Sequence, residues 1–123
     1  MSLSASVRQR VRDFLGLTEE IRYIFPAMGL FTTTGTAQFL FVVTDSEITI
    51  VTTGYFGRNK PKGVWGTYPR GSRLGPVETG SGATFEFKGT HFEVPDEYVA
   101  VINAADAEVF SRDDLPVDPL PDL

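Results

Sequence analysis

The sequence contains no cysteine, a single histidine and a single tryptophan. Without cysteine there is no disulfide, no thiolate zinc site and no thiol nucleophile. His91 alone cannot build a multi-histidine metal set within one chain. No apolar run approaches the roughly 20 residues that a membrane-spanning helix needs. The first fifteen residues carry Arg8, Arg10, Arg12 and Asp13 with no apolar stretch after them, which is not the pattern of a secretory signal peptide. The expected location is therefore cytoplasmic, with the inner membrane face as a peripheral alternative. Catalytic motifs are missing too. There is no Gly-Xaa-Ser-Xaa-Gly elbow and no Walker loop. Gly80-Ser81-Gly82 leads into a strand, so it lacks the helix N-terminus that would hold a phosphate. Glu19 and Glu20 are neighbours that point apart in a strand. Asp113, Asp114 and Asp118 are too interrupted by proline to form a calcium loop. His91, the one imidazole base, is expected at an exposed hairpin turn. Neither an enzyme nor a cofactor is expected.

What is present fits one domain. The 123 residues are 41% hydrophobic and 22% charged, enough to bury about two-thirds of the unfolded surface. The net charge of −5 argues against general nucleic-acid binding, and it is unevenly spread. Residues 58–77 carry Arg58, Lys60, Lys62, Arg70 and Arg73 with no acid, whereas residues 78–123 carry eleven acids against Lys88 and Arg112. Such two-sidedness can steer a charged partner.

Three segments follow from the pattern. Residues 1–16 hold an amphipathic helix over 4–15, with Val7, Val11, Phe14 and Leu15 on one face and Gly16 at its end. It packs on the domain; a basic helix lying on a membrane surface is the alternative. Residues 17–110 hold the domain proper. Strands are expected at Ile21–Met28, Phe39–Val43, Ile48–Thr53 and Gly63–Tyr68, with a short fifth at Pro76–Thr79. A hairpin follows, Thr84–Lys88 and His91–Val94, turning at Gly89-Thr90 as type II′. In that register Phe87 faces Phe92, Phe85 faces Val94, and Glu86 meets Glu93 on the outer side. From Asp96 a helix begins, with Tyr98, Val101, Ile102, Ala105 and Val109 in one stripe. Residues 111–123 form an acidic, proline-rich extended tail, which could also dock on a partner.

The expected fold is mainly β (α+β). It is a small antiparallel β-barrel or bent sandwich of about seven strands, with a C-terminal capping helix and a short N-terminal helix. The lead-in Leu17-Thr18-Glu19-Glu20, the strand-turn-strand from Phe41 to Val51, the strand from Phe85 to Gly89 and the single C-terminal helix together resemble the bacterial pleckstrin-homology-like (PH-like) domains, over residues 15–110. That resemblance implies binding or assembly rather than catalysis, often as a homo-oligomer. The turn Asp45-Ser46-Glu47 is acidic where such domains often carry a basic residue, so the resemblance places no headgroup site there.

The residues that stand out are Arg58, Lys60, Lys62, Arg70 and Arg73, flanking a strand with Trp65 and Tyr68. Cations could hold an anionic headgroup or phosphate while the aromatics touch its apolar part, at about 1 kcal/mol per cation near an anionic membrane. Whether these loops converge depends on strand register, and pairing with the acidic C-terminal part would silence them. The expected function is a non-enzymatic module for protein association or self-assembly, with binding of anionic lipid or phosphate as the alternative. Single-stranded nucleic acid, which also uses aromatics beside cations, is disfavoured by the acidic surround. A small-molecule carrier is disfavoured because ten phenylalanines suit a filled core.

Overall fold

The computed structural model describes residues 5–31, 35–54 and 60–109. Chain order is α1 (Ala5–Leu15), β1 (Tyr23–Phe31), β2 (Gly35–Val43), β3 (Glu47–Thr53), β4 (Pro61–Pro69), β5 (Ala83–Phe87), β6 (Thr90–Val94), a 3-10 turn (Asp96–Tyr98) and α2 (Val99–Val109). The expected residues of the tail, 111–123, lie outside the described part, as does Arg58.

The N-terminal helix forms and stops as its sequence directs. Val7 and Val11, one turn apart, are its buried residues. Gly16 adopts φ +63°. Leu17 N–H then donates to the Arg12 carbonyl at 3.0 Å, and Gly16 N–H to the Asp13 carbonyl at 3.4 Å. This is a Schellman ending, which needs a left-handed residue and finds glycine.

The six strands form one antiparallel sheet in the order β4-β3-β2-β1-β6-β5. Period-two alternation sorts its side chains into two cores. One face carries Phe25, Phe39, Phe41, Ile48, Ile50, Phe85, Phe87 and Phe92, covered by Tyr98, Ile102 and Ala105. The other carries Ile24, Leu40, Val42 and Val51, covered by Val7 and Val11 of α1. The central strand β2 therefore reads as a continuous apolar run because both faces are covered. Each buried phenylalanine contributes on the order of 2–3 kcal/mol, so the larger core dominates.

The sheet curls. In a flat sheet the edge strands β4 and β5 would lie about 24 Å apart, at roughly 4.8 Å per strand. Instead Tyr68 of β4 meets Phe87 of β5 edge-to-face, with ring centroids 5.1 Å apart. Trp65 of β4 reaches Phe92 of β6 at 6.1 Å. No backbone pairing joins the two edges, so the sheet is not closed.

Three expectations are corrected. Six strands form among the described residues, not about seven. The segment Pro76–Thr79 makes one bridge, with Glu78 and Thr84 exchanging backbone hydrogen bonds of 2.7 and 2.8 Å. Pro76, Gly80 and Gly82 around it deprive it of the donors and side chains a strand uses. The barrel or sandwich is likewise an open, curled sheet. In the hairpin, the turn is Lys88-Gly89, both at positive φ (50° and 85°), which is type I′ and matches strand twist. Phe85 therefore faces Phe92, and Glu86 faces His91 rather than Glu93. The like-charge clash disappears: His91 Nε2 lies 3.4 Å from Glu86 Oε1.

Candidate functional site

Strand β4 holds three of the residues the sequence singled out, Lys62, Trp65 and Tyr68, and its shape decides what they do. It pairs with β3 only on one side and leaves its other edge free. Its register against β3 shifts twice: between Ile50 and Val51, which pair with Gly66 and Val64, and between Thr52 and Thr53, which pair with Gly63 and Pro61. The two residues left over are Trp65 and Lys62. Bulges re-aim side chains at sheet edges, and here they re-aim those two.

Trp65 folds over the rim of the larger core. Its ring lies 5.1 Å from Phe39, 6.3 Å from Phe31 and 6.1 Å from Phe92, centroid to centroid. It is nevertheless 40% exposed, and its neighbour Val64 is 53% exposed. Tyr68 is half-buried and turned into the seam against Phe87, with Lys88 Nζ 5.7 Å above its ring. A Cβ on Gly66 would sit 2.7 Å from the Tyr68 hydroxyl, so the glycine makes room for that ring.

The basic residues do not converge. Lys60 and Lys62 are exposed at the start of β4. Arg70 and Arg73 lie past its end, about 26 Å away at roughly 3.3 Å per residue. Arg70 turns inward, with a side chain 12% exposed. Its Nη2 donates to the Ala105 carbonyl at 2.9 Å and lies 3.7 Å from Glu108 Oε1. Its Nη1 is buried with no hydrogen-bond partner among the described residues. Arg73 Nε stands 3.9 Å from Asp106 Oδ2. Asp106 in turn accepts the Leu74 and Gly75 N–H groups, each at 2.8 Å. These contacts fasten the 70–75 loop to α2.

Glu108 is the centre of a second set that the sequence did not reveal. Tyr23 donates its hydroxyl to Glu108 Oε2, and Arg22 Nη2 reaches the same oxygen at 2.9 Å. The Tyr23 hydrogen bond, with Arg22 and Arg70, holds the Glu108 carboxyl below its ordinary range. The same hydrogen bond pushes the Tyr23 phenol up. Arg22 also reaches Asp45 at 3.6 Å, in the acidic turn after β2, where Ser46 Oγ donates to Glu19 at 2.5 Å. Arg22 and Tyr23 lie more than eighty residues from Glu108 in sequence and Arg70 lies well outside any local window, so no local signal marks them.

The helix α1 is likewise tied down. Arg8 Nη1 donates to the Ile21 carbonyl at 3.0 Å and Arg12 Nη1 to the Glu19 carbonyl at 2.7 Å. No described helix is long and apolar enough to cross a membrane. On the outer side of β5 and β6 a pocket of about 190 Å³ is lined by Pro76, Glu78, Thr84, Phe85, Glu86 and His91. Among the described residues no group of three histidine, aspartate or glutamate side chains could hold a metal ion. The chain matches no known family model and no curated protein sequence.

Proposed function

We propose that the protein is a non-enzymatic interaction module of the PH-like kind, associating with protein, and first with a second copy of itself, through the free edge of β4. The observation that carries this reading is the pairing of an unpartnered edge with two exposed apolar side chains, Val64 and Trp65. Unpaired backbone groups add affinity when another strand lies beside them, and exposed side chains add selectivity. The PH-like part of the reading is supported by a curled antiparallel sheet with the C-terminal helix on its phenylalanine-lined face. Pro61, Pro69 and the two bulges shorten the usable edge, as protected edges do. Association is therefore expected to be weak and reversible. Binding of an anionic headgroup or phosphate is the lesser reading. Of the basic residues first considered, Lys60 and Lys62 stay exposed at the start of β4, while Arg70 and Arg73 are engaged with α2.

Light scattering after size exclusion, from micromolar to submillimolar protein, tests the reading. The expected result is a mass rising above 13.5 kDa with concentration, and a return to monomer in Val64→Lys. Val64 is exposed, so that change leaves both cores intact. A clean monomer throughout would end the self-association reading.

A further inference from the structure

Helix α2 lies on the phenylalanine-lined face of the sheet, and α1 covers the opposite face only where Ile24, Leu40, Val42 and Val51 stand. Beyond α1, that outer face is bare: Leu30 of β1, His91 and Glu93 of β6 and Glu86 of β5 are exposed. Register joins them, since Leu30 pairs with His91 and His91 with Glu86. The pocket of about 190 Å³ belongs to this face, and Glu78, Glu86 and His91 line it together with Pro76. Three carboxylates here, Glu78, Glu86 and Glu93, are met by one imidazole. His91 lies 3.4 Å from Glu86, a pair that is ionic only while the ring carries its second proton. Among the described residues Glu78 and Glu93 have no cation within ion-pair distance. Lys88, in the turn of the same hairpin, is spent on the Tyr68 and Phe87 rings.

Such a lining selects a cation, and the volume selects a small one. A pocket of about 190 Å³ falls short of the roughly 300–1,000 Å³ that a drug-sized ligand or cofactor fills, and suits one side chain. Guanidinium fits better than ammonium. Its planar fork can donate to two carboxylates at once, and it is more weakly hydrated, so it enters a pocket walled in part by proline at less cost. Leu30, the cross-strand neighbour of His91, is 37% exposed. Side chains so paired stand about 5 Å apart, so an apolar residue next to the cation finds its own contact. Among the described residues a second copy has no spare arginine to offer, because each of the six described arginines already interacts within its own molecule. We propose that this pocket binds an arginine side chain of a different protein, with the guanidinium between Glu78 and Glu86 and an adjacent apolar side chain on Leu30. The negative face also speeds the encounter with a basic segment. The surface shares no residue with the β4 edge, so it gives the module a second kind of partner.

His91 is the only histidine, so its imidazole proton resonances read the pocket in the full chain. The probe is a blocked peptide holding one arginine and one leucine, titrated into dilute protein at fixed pH. Its control is the same peptide with citrulline, the neutral isostere of arginine. The arginine peptide is expected to shift the His91 resonances saturably, and the citrulline peptide to leave them in place. Glu78→Gln and Glu86→Gln are each expected to weaken binding by up to about five-fold, and ~500 mM salt to act in the same direction. Leu30→Ser is expected to weaken the peptide but not acetyl-arginine amide, which has no leucine to lose. Glu20→Gln removes an equal charge from the lead-in to β1 and should leave binding unchanged. Glu78 and Glu86 are exposed and belong to neither core, so circular dichroism should be unaltered. No saturable shift, or equal shifts with arginine and citrulline, would overturn the proposal. Equal weakening by Glu20→Gln and Glu78→Gln would overturn the site, leaving only the general negative charge of the chain. Dilute protein keeps self-association out of the readout, so a monomer at every concentration would leave this proposal standing.

Discussion

At the scale of single residues, Glu108 shows how a carboxylate with distant partners acts on stability. Its folded value is lowered by the Tyr23 hydrogen bond and by Arg22. A carboxyl that releases its proton more readily when folded stabilises the fold above its unfolded value, about 4.3. That contribution is complete above about pH 5 and is lost as pH falls through the lowered folded value. Glu108→Gln should therefore lower the melting temperature at neutral pH. It should also flatten the loss of stability on acidification, and the two proteins should converge at the acid end. The groups are partly exposed, so the effect should be modest and reduced by salt. Thermal melts from pH 7 to pH 2 check it; parallel curves with no convergence would assign the acid sensitivity to other groups. Nothing near Glu108 in the sequence announces this role, because ion pairing across the chain is set by how the sheet curls, not by spacing.

At the scale of elements, the hairpin separates what was legible from what was not. Alternation correctly put Phe85, Phe87, Phe92 and Val94 on the buried face. It could not choose between turns at Lys88-Gly89 and Gly89-Thr90, because the two registers differ by two residues and keep every side chain on its own face. The choice lies in turn chemistry, and lysine is not a usual residue at positive φ. Helix α1 was legible because Val7, Val11 and its terminal glycine agree, although Phe14, expected on the same face, is 42% exposed. The bulges at Lys62 and Trp65 were not, since extra residues in an edge strand leave no periodic mark. They are also what exposes Trp65, so the candidate site was named from its residues but not from its shape. A substitution at the turn checks the observed register. Gly89 sits at φ +85°, and Gly89→Ala should cost about 1–2 kcal/mol in urea unfolding. Under the alternative type II′ register Gly89 would occupy the first central position, and Lys88 would sit in ordinary strand geometry. Lys88→Asn, which places the favoured Asn-Gly pair in a type I′ turn, should then be neutral or harmful, whereas in the observed register it should stabilise.

At the scale of the whole molecule, the question is what holds an open sheet in a curl. The edges β4 and β5 exchange no backbone hydrogen bonds, so side chains must carry the coupling across the seam. Tyr68 against Phe87 is the most direct contact, and α2 reinforces the curl from inside. The 70–75 loop, fastened to α2 through Asp106, fixes the end of β4 nearest that contact. The basic residues Arg70 and Arg73 thus act within the fold, and the charge asymmetry of the sequence is partly spent internally. A double-mutant cycle tests this account. Phe87→Leu keeps most of the buried volume, and Tyr68→Ala removes the partner ring. An edge-to-face aromatic pair should give a coupling of about 0.5–1.5 kcal/mol. Trp65 emission should shift to the red in the double variant, because the ring that packs on Phe92 lies on the same seam. Additive changes, with coupling under about 0.3 kcal/mol, would mean that α2 alone sets the curl. The seam would then be an incidental contact, and an edge so loosely held would be a poor platform for any partner.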